Sequence, residues 1–285
     1  MKKILIIGVK GMAGHVLYNF FIKKSNYDVY GIARNVESTN KIFNLDVSDV
    51  ITLKSIISTY DFDVIINAIG ILNKDAEDNP SKAIWYNSYF PHFLEEVTKE
   101  NKTKIIHIST DCVFSGKDDG GYTEESFKNG IGYYAQSKAL GEIVNYKDLT
   151  IRTSIIGPEL NINGIGLLHW FLMNPEGSVL NGYSQVFWSG ITTLELAKVI
   201  EDVIDKNISG LKIISREKIS KLELLTLFNE IYKKGQFKIV NSPDYKSDKS
   251  LISIRNDYNY ELPSYRQMLI NLKSWMEEHA NLYNY

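Results

Sequence analysis

The chain has 285 residues, which at roughly 150 residues per domain predicts about two domains. Hydrophobic residues make up 44% of the chain and charged residues 23%, values typical of a globular protein with a large core, so a disordered or fibrous chain is excluded. The formal net charge of −2 leaves no basic excess to bind a phosphate backbone, and we expect no nucleic-acid partner.

Cysteine and histidine usage points to a reduced compartment and to no metal. The single cysteine, Cys112, cannot form an internal disulfide, and the histidines show no spacing typical of a zinc site. The apolar run Ile4–Ile7 is too short for a signal peptide, and no run approaches the ~18 apolar residues of a membrane span. We therefore expect a cytoplasmic protein with no membrane partner.

Short β-branched runs alternate with helical patterns through the first half of the chain. The predicted strands are Lys3–Ile7, Asp28–Ile32, Asp63–Asn67, Lys104–Ser109 and Leu149–Thr153. The predicted helices between them are Met12–Lys24, Val50–Tyr60, Pro80–Asn101 and Ile131–Tyr146. The strands are almost continuously apolar, which is typical of a parallel sheet covered by helices on both faces. This alternation predicts an α/β fold with a Rossmann-like, doubly wound parallel sheet.

The pattern changes after Thr153, where glycine, proline and asparagine turn signals crowd residues 154–191. Beyond them, capping boxes predict helices from Thr192 to about Lys206 and from Ser220 to about Lys234, with a strand at Leu211–Ser215 between them. We predict two interleaved domains. The first comprises 1–153 plus 192–206, and the smaller C-terminal domain comprises 154–191 plus 207–285.

Three glycines, Gly8, Gly11 and Gly14, follow the first strand and open the first helix. At such a junction one glycine permits the tight turn, one lets the backbone approach a pyrophosphate, and one lets the helix pack closely on the strand. The phosphate then meets the helix N-terminus, which begins at Met12, where free N–H groups and the helix dipole favour an anion. The loop predicts a dinucleotide site in the first domain.

Two cations bear on which dinucleotide is bound. Arg34 ends the second strand, where an NAD enzyme carries an acid for the ribose hydroxyls, and Lys10 precedes the second glycine. A guanidinium can bind a 2′-phosphate bidentately, whereas an acid would repel it. The pair favours NADPH, with NADH as the alternative and two ordinary surface cations as the rival interpretation.

Tyr134 and Lys138 are four residues apart and so lie on one face of a predicted helix. An ammonium beside a phenol stabilises the phenolate and lowers the tyrosine pKa, so the phenol can protonate the alkoxide formed when a hydride reaches a carbonyl. Thr110, at the end of the fourth predicted strand, could hold that carbonyl oxygen by a hydrogen bond. Tyr133 lies five residues from Lys138, faces differently, and is assigned to packing.

The glycine spacing resembles the extended short-chain dehydrogenase/reductase superfamily, and within it the chain resembles the dTDP-4-dehydrorhamnose reductase family. The likeness is strong over residues 1–153 and loose beyond them. It is carried by Gly8, Gly11, Gly14, Asp63–Ala68, Ala76, Glu77, Pro80, Ser109–Asp111, Val113, Phe114, Tyr122, Glu124, Tyr134, Lys138, Gly141, Glu142 and Arg152–Ser154.

The resemblance implies a catalytic triad of Thr110, Tyr134 and Lys138, with Tyr134 and Lys138 also contacting the cofactor. Further cofactor contacts are implied at Asp46 and Val47, which follow a short third element, and expected at Ala68, Ile69 and Gly70, at the carboxyl end of the predicted strand Asp63–Asn67. The implied reaction is the NAD(P)H-dependent reduction of the C4 ketone of a nucleotide-linked 6-deoxyhexose, for polysaccharide sugars such as rhamnose.

Three departures from the family pattern leave the nucleotide and the sugar open, and one of them is that the segment 156–190 differs from the family. Cys112 replaces an aromatic residue, and Ile155 replaces a tryptophan expected near the sugar. Asp111 and Arg152 are candidate substrate contacts, with a buried packing cation as the rival interpretation of Arg152.

The alternatives to a reductase are two other enzymes of the superfamily and one binding protein that resembles the family. A dehydratase carries an acidic pair after the active-site threonine, whereas Cys112 follows Asp111 here. An epimerase-reductase carries its cysteine one position earlier, which leaves epimerisation as a weaker alternative. A non-catalytic NADP-binding regulatory subunit also resembles this family. Self-association into a homo-oligomer is left open.

Overall fold

The computed structural model describes residues 1–206, 208–233 and 235–285. The chain forms two compact units. Unit 1 comprises Met1–Ser109, Gly132–Ile151 and Ile200–Lys212, and unit 2 comprises Thr110–Ile131, Arg152–Val199 and Ile213–Tyr285. The domain boundaries predicted above stay a proposal, and the one at Asn207 lies outside the described residues.

The strands are β1 (Lys2–Ile7), β2 (Tyr27–Ala33), β3 (Ile42–Asn44), β4 (Val64–Asn67), β5 (Lys104–Thr110), β6 (Leu149–Thr153), β7 (Ile155–Ile156), β8 (Val179–Tyr183), β9 (Val186–Trp188), β10 (Ile191–Thr192), β11 (Gly210–Ile213), β12 (Ile219–Ser220), β13 (Lys238–Ser242) and β14 (Ser247–Asp248). The α-helices are α1 (Met12–Phe21), α2 (Val50–Tyr60), α3 (Asn73–Asp78), α4 (Pro80–Ala83), α5 (Phe90–Val97), α6 (Tyr133–Leu140), α7 (Leu167–Met173), α8 (Thr193–Ile204), α9 (Lys221–Tyr232) and α10 (Tyr265–Glu278).

A seven-stranded sheet has the order β11-β6-β5-β4-β1-β2-β3. The pairs β1/β2, β1/β4, β2/β3 and β4/β5 are parallel, which confirms the predicted Rossmann-like class. The residues Ile4–Ile7 of β1 are fully buried, as expected for a strand covered on both faces. Because β1 lies between β2 and β4, the direction of winding reverses there, and the crevice beyond the carboxyl ends of β1 and β4 is the ligand site expected of such a sheet.

The predicted helix Pro80–Asn101 is in fact three segments, with a π-helical stretch at Ile84–Tyr89 between α4 and α5. Pro91 has no N–H to donate to the carbonyl of Asn87, four residues earlier, so the regular helical ladder is interrupted at this point. That carbonyl lies against Gly141, where an added Cβ would come within 1.8 Å of the Asn87 oxygen. The irregular helix is therefore shaped to receive the end of α6.

Among its described residues, unit 2 contains smaller sheets and the complete α-helices α7, α9 and α10. β8 pairs in parallel with β13, and β9 lies between β12 and β14. The capping box at Ser220 and Glu223 is present as predicted, and α9 ends at Tyr232, while the predicted end at Lys234 lies outside the described residues. The sequence pattern did not predict α10. Within the described ranges, no helix is both long and apolar enough to cross a membrane.

Candidate functional site

The glycine loop between β1 and α1 is built so tightly that it requires two of its glycines. Gly8 has a φ of +98°, and an added Cβ would lie 3.1 Å from Ile69 Cγ1 and 3.3 Å from the Ala68 carbonyl carbon. At Gly14 an added Cβ would lie 2.0 Å from the Gly8 carbonyl oxygen. Gly14 thus lets α1 approach the end of β1, and Gly8 brings the loop against the end of β4.

The N-terminus of α1 fits a bound phosphate. Gly11 is the N-cap, and no side chain caps the helix there. The first-turn N–H groups of a helix need an acceptor, and together with the helix dipole they favour an anion. The loop and Met12, the first residue of α1, therefore suit a pyrophosphate.

Lys10 and Arg34 both lie at the end of β2. Lys10 Nζ donates to the carbonyl of Asn35 at 3.1 Å, next to Arg34 in the chain, and both cations are exposed. Arg34 Nη1 lies 3.2 Å from Asp46 Oδ2, so Asp46 is the ion-pair partner of Arg34. The structure thus brings three of the predicted cofactor residues together.

The charge of Asp46 is well stabilised. Burial raises the pKa of this carboxyl, but hydrogen bonds from Ser48, Tyr86 and Arg34 outweigh burial and lower the pKa to about 2. The Tyr86 hydroxyl donates at 2.8 Å and the Ser48 backbone N–H at 3.0 Å. A 2′-phosphate that bound Arg34 would compete with this carboxylate.

The residues predicted to contact the cofactor after β3 and after β4 differ in their exposure. Ala68, Ile69 and Gly70 follow β4 as half-buried residues, and the Ala68 N–H donates to the Ile7 carbonyl at 3.0 Å, which holds this segment beside the glycine loop. The Val47 side chain is 2% exposed and belongs to the hydrophobic core. Its role at the cofactor stays a prediction.

Helix α6 carries Tyr134 and Lys138 and is held in place by the π-helical segment. Asn87 Nδ2 donates to Ser137 Oγ at 3.0 Å, and Ser88 Oγ donates to the Ser137 carbonyl at 2.7 Å. These buried hydrogen bonds fix the rotation of α6 about its axis, and therefore the face that presents Tyr134 and Lys138.

Lys138 is 4% exposed and reaches β5, where Nζ donates to the Ile108 carbonyl at 2.7 Å. Burial lowers its pKa to about 8, while the charge of Glu142 acts in the opposite direction. Glu142 is itself fixed, since Ser109 Oγ donates to it at 2.8 Å. Lys138 is therefore an ammonium at neutral pH that loses its proton far more easily than an exposed lysine.

Tyr134 is half-buried at the start of α6. Its backbone N–H donates to Glu77 Oε1 at 3.1 Å, and its side chain packs against the small cluster of Ile71, Ala76 and Ala83. The neighbouring Tyr133 is 45% exposed, so its assignment to packing was wrong.

Thr110 ends β5 and is described within unit 2. Its Oγ1 donates to Asp111 Oδ1 and accepts from the Cys112 backbone N–H, both at 3.1 Å, so that the hydroxyl caps the short 3₁₀ turn that follows. Asp111 is 6% exposed. Burial, and then the charge of Asp111, raises the pKa of the Cys112 thiol to about 11, so this thiol is not a ready nucleophile.

Two lysines that the sequence analysis missed lie beside Asp111 and Cys112. Lys249 Nζ contacts Cys112 Sγ at 3.6 Å, and Lys221 Nζ lies 5.3 Å from the centre of the Trp188 ring. Burial lowers the pKa of Lys221 to about 8, although Asp111 and Cys112 act in the opposite direction. Both lysines lie more than a hundred residues from Asp111 in the chain, so no local sequence pattern indicated that they would lie close to it.

Arg152 is 1% exposed, donates to the Thr123 carbonyl at 3.0 Å, and lies 5.1 Å from the centre of the Phe114 ring. This setting supports the packing role, and the substrate role stays a prediction. Within the described residues, no group of histidine, cysteine, aspartate and glutamate side chains could hold a metal ion.

Residues 1–157 match the sequence profile of the RmlD substrate binding domain family. The chain belongs to this family. The chain is also similar to a dTDP-4-dehydrorhamnose reductase from Aggregatibacter actinomycetemcomitans, with 28% identity over 217 residues that cover 74% of this chain and 70% of the relative. Alignments with four further curated relatives cover between 40% and 53% of their lengths. The resemblance seen in the sequence is thereby confirmed.

Solved structures of the family superpose on this chain. A hypothetical dTDP-4-dehydrorhamnose reductase from Sulfolobus tokodaii has a TM-score of 0.73 at 27% identity, covering 88% of this chain and 92% of that one. The dTDP-4-dehydrorhamnose reductase from Bacillus anthracis, solved in complex with NADP, has a TM-score of 0.80 at 19% identity, covering 96% and 99%. At 19% identity, the likeness to the Bacillus anthracis structure shows the fold alone.

Proposed function

We propose that this protein is an NADPH-dependent oxidoreductase that reduces the 4-keto group of a nucleotide-linked 6-deoxyhexose, for cell-surface polysaccharide synthesis of the dTDP-rhamnose type. The observation that carries the proposal is the pair on α6. Tyr134 and Lys138 share one helix face, and Lys138 is buried with Nζ hydrogen-bonded to β5. The relative from Aggregatibacter actinomycetemcomitans is named as a reductase of this type, and a relative from Streptomyces niveus, 26% identical over 139 residues, is named as a dTDP-4-keto-6-deoxy-D-glucose reductase.

The proposed chemistry divides between cofactor and protein. NADPH, when bound, supplies the hydride that is added to the carbonyl carbon. Tyr134 donates its phenolic proton to the carbonyl oxygen, and the Lys138 ammonium stabilises the resulting phenolate. Thr110 supplies a hydroxyl that orients the carbonyl oxygen. The products are the sugar alcohol and the oxidised cofactor.

The cofactor proposal rests on the loop and its two cations. Gly8, Gly11 and Gly14 shape a turn whose helix N-terminus accepts a pyrophosphate, and Lys10 and Arg34 offer positive charge for a 2′-phosphate. Arg34 would exchange its carboxylate partner Asp46 for that phosphate, because a dianionic phosphate is the stronger acceptor. NADH, which lacks the phosphate, would leave the Arg34–Asp46 pair intact.

The substrate proposal rests on charge and on the relatives' names. A nucleotide-linked sugar carries a diphosphate, and Lys221 and Lys249 provide positive charge in unit 2 beside Asp111. Asp111 and Arg152 remain proposed substrate contacts. Cys112 and Ile155 leave the nucleotide and the sugar's stereochemistry open.

We place the protein in the cytoplasm, where NADPH and sugar nucleotides meet and a single unpaired cysteine is expected. Self-association into a homo-oligomer is compatible with this function, but the proposed reaction uses residues of one chain only.

The test incubates the purified protein and NADPH with separate dTDP-, UDP- and GDP-linked 4-keto-6-deoxy sugars, and follows NADPH absorbance and product stereochemistry. Oxidation with one of them, abolished by Tyr134→Phe, supports the reductase. Tight NADPH binding without oxidation by any of them would favour a regulatory NADP-binding subunit. A C3 or C5 isotope exchange that depends on Cys112 would favour epimerisation.

A further inference from the structure

A buried polar chain lies behind Lys138 within unit 1. The side chains of Asn67, at the end of β4, and His107, in β5, are both fully buried. Asn67 Nδ2 lies 3.1 Å from His107 Nδ1, and His107 Nε2 lies 3.4 Å from Lys138 Nζ. The imidazole thus lies between an amide and the amine of Lys138.

The hydrogen bonds determine which nitrogen of His107 carries the proton. The Ile69 backbone N–H donates to Asn67 Oδ1 at 3.2 Å, so the amide oxygen is committed and the NH₂ group faces His107. His107 Nδ1 must then accept. Burial, and then the charge of Lys138, holds the pKa of His107 well below its ordinary value, so the ring is neutral. A neutral imidazole that accepts at Nδ1 carries its proton on Nε2.

This tautomer has a consequence for Lys138. The Nε2–H of His107 points towards Nζ. An ammonium has N–H donors and no acceptor, so in the charged form of Lys138 two donors face each other, which is unfavourable. A neutral amine instead accepts from Nε2–H with its lone pair while donating to the Ile108 carbonyl at 2.7 Å. The charge of Glu142 opposes this effect, because it raises the pKa of Lys138 and so favours the ammonium.

We propose that His107 is a positioning residue of the reduction, whose Nε2–H, oriented by Asn67, holds Lys138 Nζ at the Ile108 carbonyl and favours its neutral form. Lys138 can then give up and regain a proton near neutral pH while Tyr134 turns over. This proposal rests on the proposed function, in which Lys138 acts on Tyr134. The titratable groups that surround the pair are Glu142, Tyr134 one turn earlier on α6, and His92, whose charge also lowers the pKa of His107.

The first measurement uses the unmodified protein and needs no substrate. Nitrogen NMR of ¹⁵N-histidine distinguishes the two neutral tautomers and the imidazolium. We expect His107, assigned by the loss of its signal in His107→Gln, to be the neutral Nε2–H tautomer between about pH 6 and pH 8, around the ordinary histidine pKa. An Nδ1–H tautomer, or a ring that becomes charged in this range, would overturn the proposal.

The second measurement follows the titration of Lys138 by the ¹³Cε shift of labelled lysine, assigned with Lys138→Met. In His107→Phe the facing donor is removed while the site stays filled, and we expect the titration to move up by about one pH unit, a tenfold change in proton affinity. His107→Gln keeps a side-chain amide that can donate, and we expect its titration to stay close to that of the parent.

The matched control is Thr103→Val. Thr103 is 2% exposed and donates to the Phe62 carbonyl at 2.7 Å, so this variant also loses a buried hydrogen bond, but no contact to Lys138. We expect lower stability and an unchanged Lys138 titration. The same upward shift in Thr103→Val, or no shift in a folded His107→Phe, would contradict the positioning role. Because neither measurement requires turnover, failure of the proposed function would be seen separately, as no NADPH oxidation.

Discussion

Gly14 is the position where a single methyl group tests the geometry of the glycine loop. An alanine Cβ at Gly14 would lie 2.0 Å from the Gly8 carbonyl oxygen, 2.7 Å from the Gly8 carbonyl carbon and 3.3 Å from Val9 Cα, whereas ordinary contacts begin at 3.4 Å. All three atoms belong to the backbone and cannot rotate away. Either α1 or the loop must therefore move by more than about 1 Å, an overpacking of the kind described for filled cores.

The expected cost follows from two opposing contributions. Overpacking costs about 1–3 kcal/mol, and the backbone clash places Gly14→Ala at the upper end of that range. Alanine in a helix recovers up to ~1 kcal/mol relative to glycine. We expect a net loss of about 2 kcal/mol in the free energy of unfolding, the balance of these two effects. We also expect weaker NADPH binding, because the displaced atoms form the phosphate turn.

Urea denaturation and NADPH titration by fluorescence measure the two effects. The matched control for the stability measurement is Gly70→Ala, whose added Cβ would meet only Leu72 Cδ2 at 3.6 Å and Asn87 Oδ1 at 3.8 Å. We expect its free energy of unfolding to stay within ~0.5 kcal/mol of the parent, as for substitutions that clash with nothing. If Gly14→Ala matched the parent in both stability and NADPH affinity, the close approach of α1 to β1 would be refuted.

Three further predictions concern charge and proton transfer. Lys10→Met with Arg34→Ala should weaken NADPH binding by ~1–3 kcal/mol and leave NADH nearly unchanged, as titration calorimetry would show; equal losses for both cofactors would contradict the 2′-phosphate role. Tyr134→Phe should cut turnover by roughly 10²–10⁴-fold at nearly unchanged NADPH affinity, and near-full activity would place the proton donor elsewhere. Asp46→Asn should lower the free energy of unfolding above about pH 4, because the pKa of Asp46 falls from 3.8 to about 2 on folding. In urea titrations the difference in stability from the parent should vanish as the pH falls to about 2, and a difference that stays constant with pH would contradict the pKa shift.

The parts of the fold that follow from local pattern could be predicted from the sequence. The predicted strand Lys104–Ser109 corresponds to β5, Lys104–Thr110, and the predicted helix Val50–Tyr60 to α2, because an apolar run and a helical repeat are local signals. One of the three loop glycines was predicted to permit close helix packing, and the approach of 2.0 Å between an added Gly14 Cβ and the Gly8 carbonyl oxygen identifies it as Gly14. The π-helical segment was missed; it lies just before Pro91, and its Asn87 carbonyl packs against the distant Gly141, a contact for which the chain carries no local signal.

The candidate site likewise has one part that a local sequence pattern predicts and another part that it does not. Tyr134 and Lys138 were found by their spacing on one helix. The ion pair of Arg34 with Asp46 and the contact of His107 with Lys138 depend on residues brought together by the sheet, for which no spacing in the chain is diagnostic. A polar side chain within an apolar strand, as at His107, is the one signal that could have pointed to the second pair.

The most direct test of the central claim follows the hydride itself. The protein is incubated with NADPH carrying deuterium at the transferred position and with each nucleotide-linked 4-keto-6-deoxy sugar, and the product is examined by mass spectrometry and NMR. The account predicts one deuterium at C4 of the sugar alcohol, with Tyr134→Phe forming almost none. NADPH that binds tightly but transfers no deuterium to any of these sugars would contradict it.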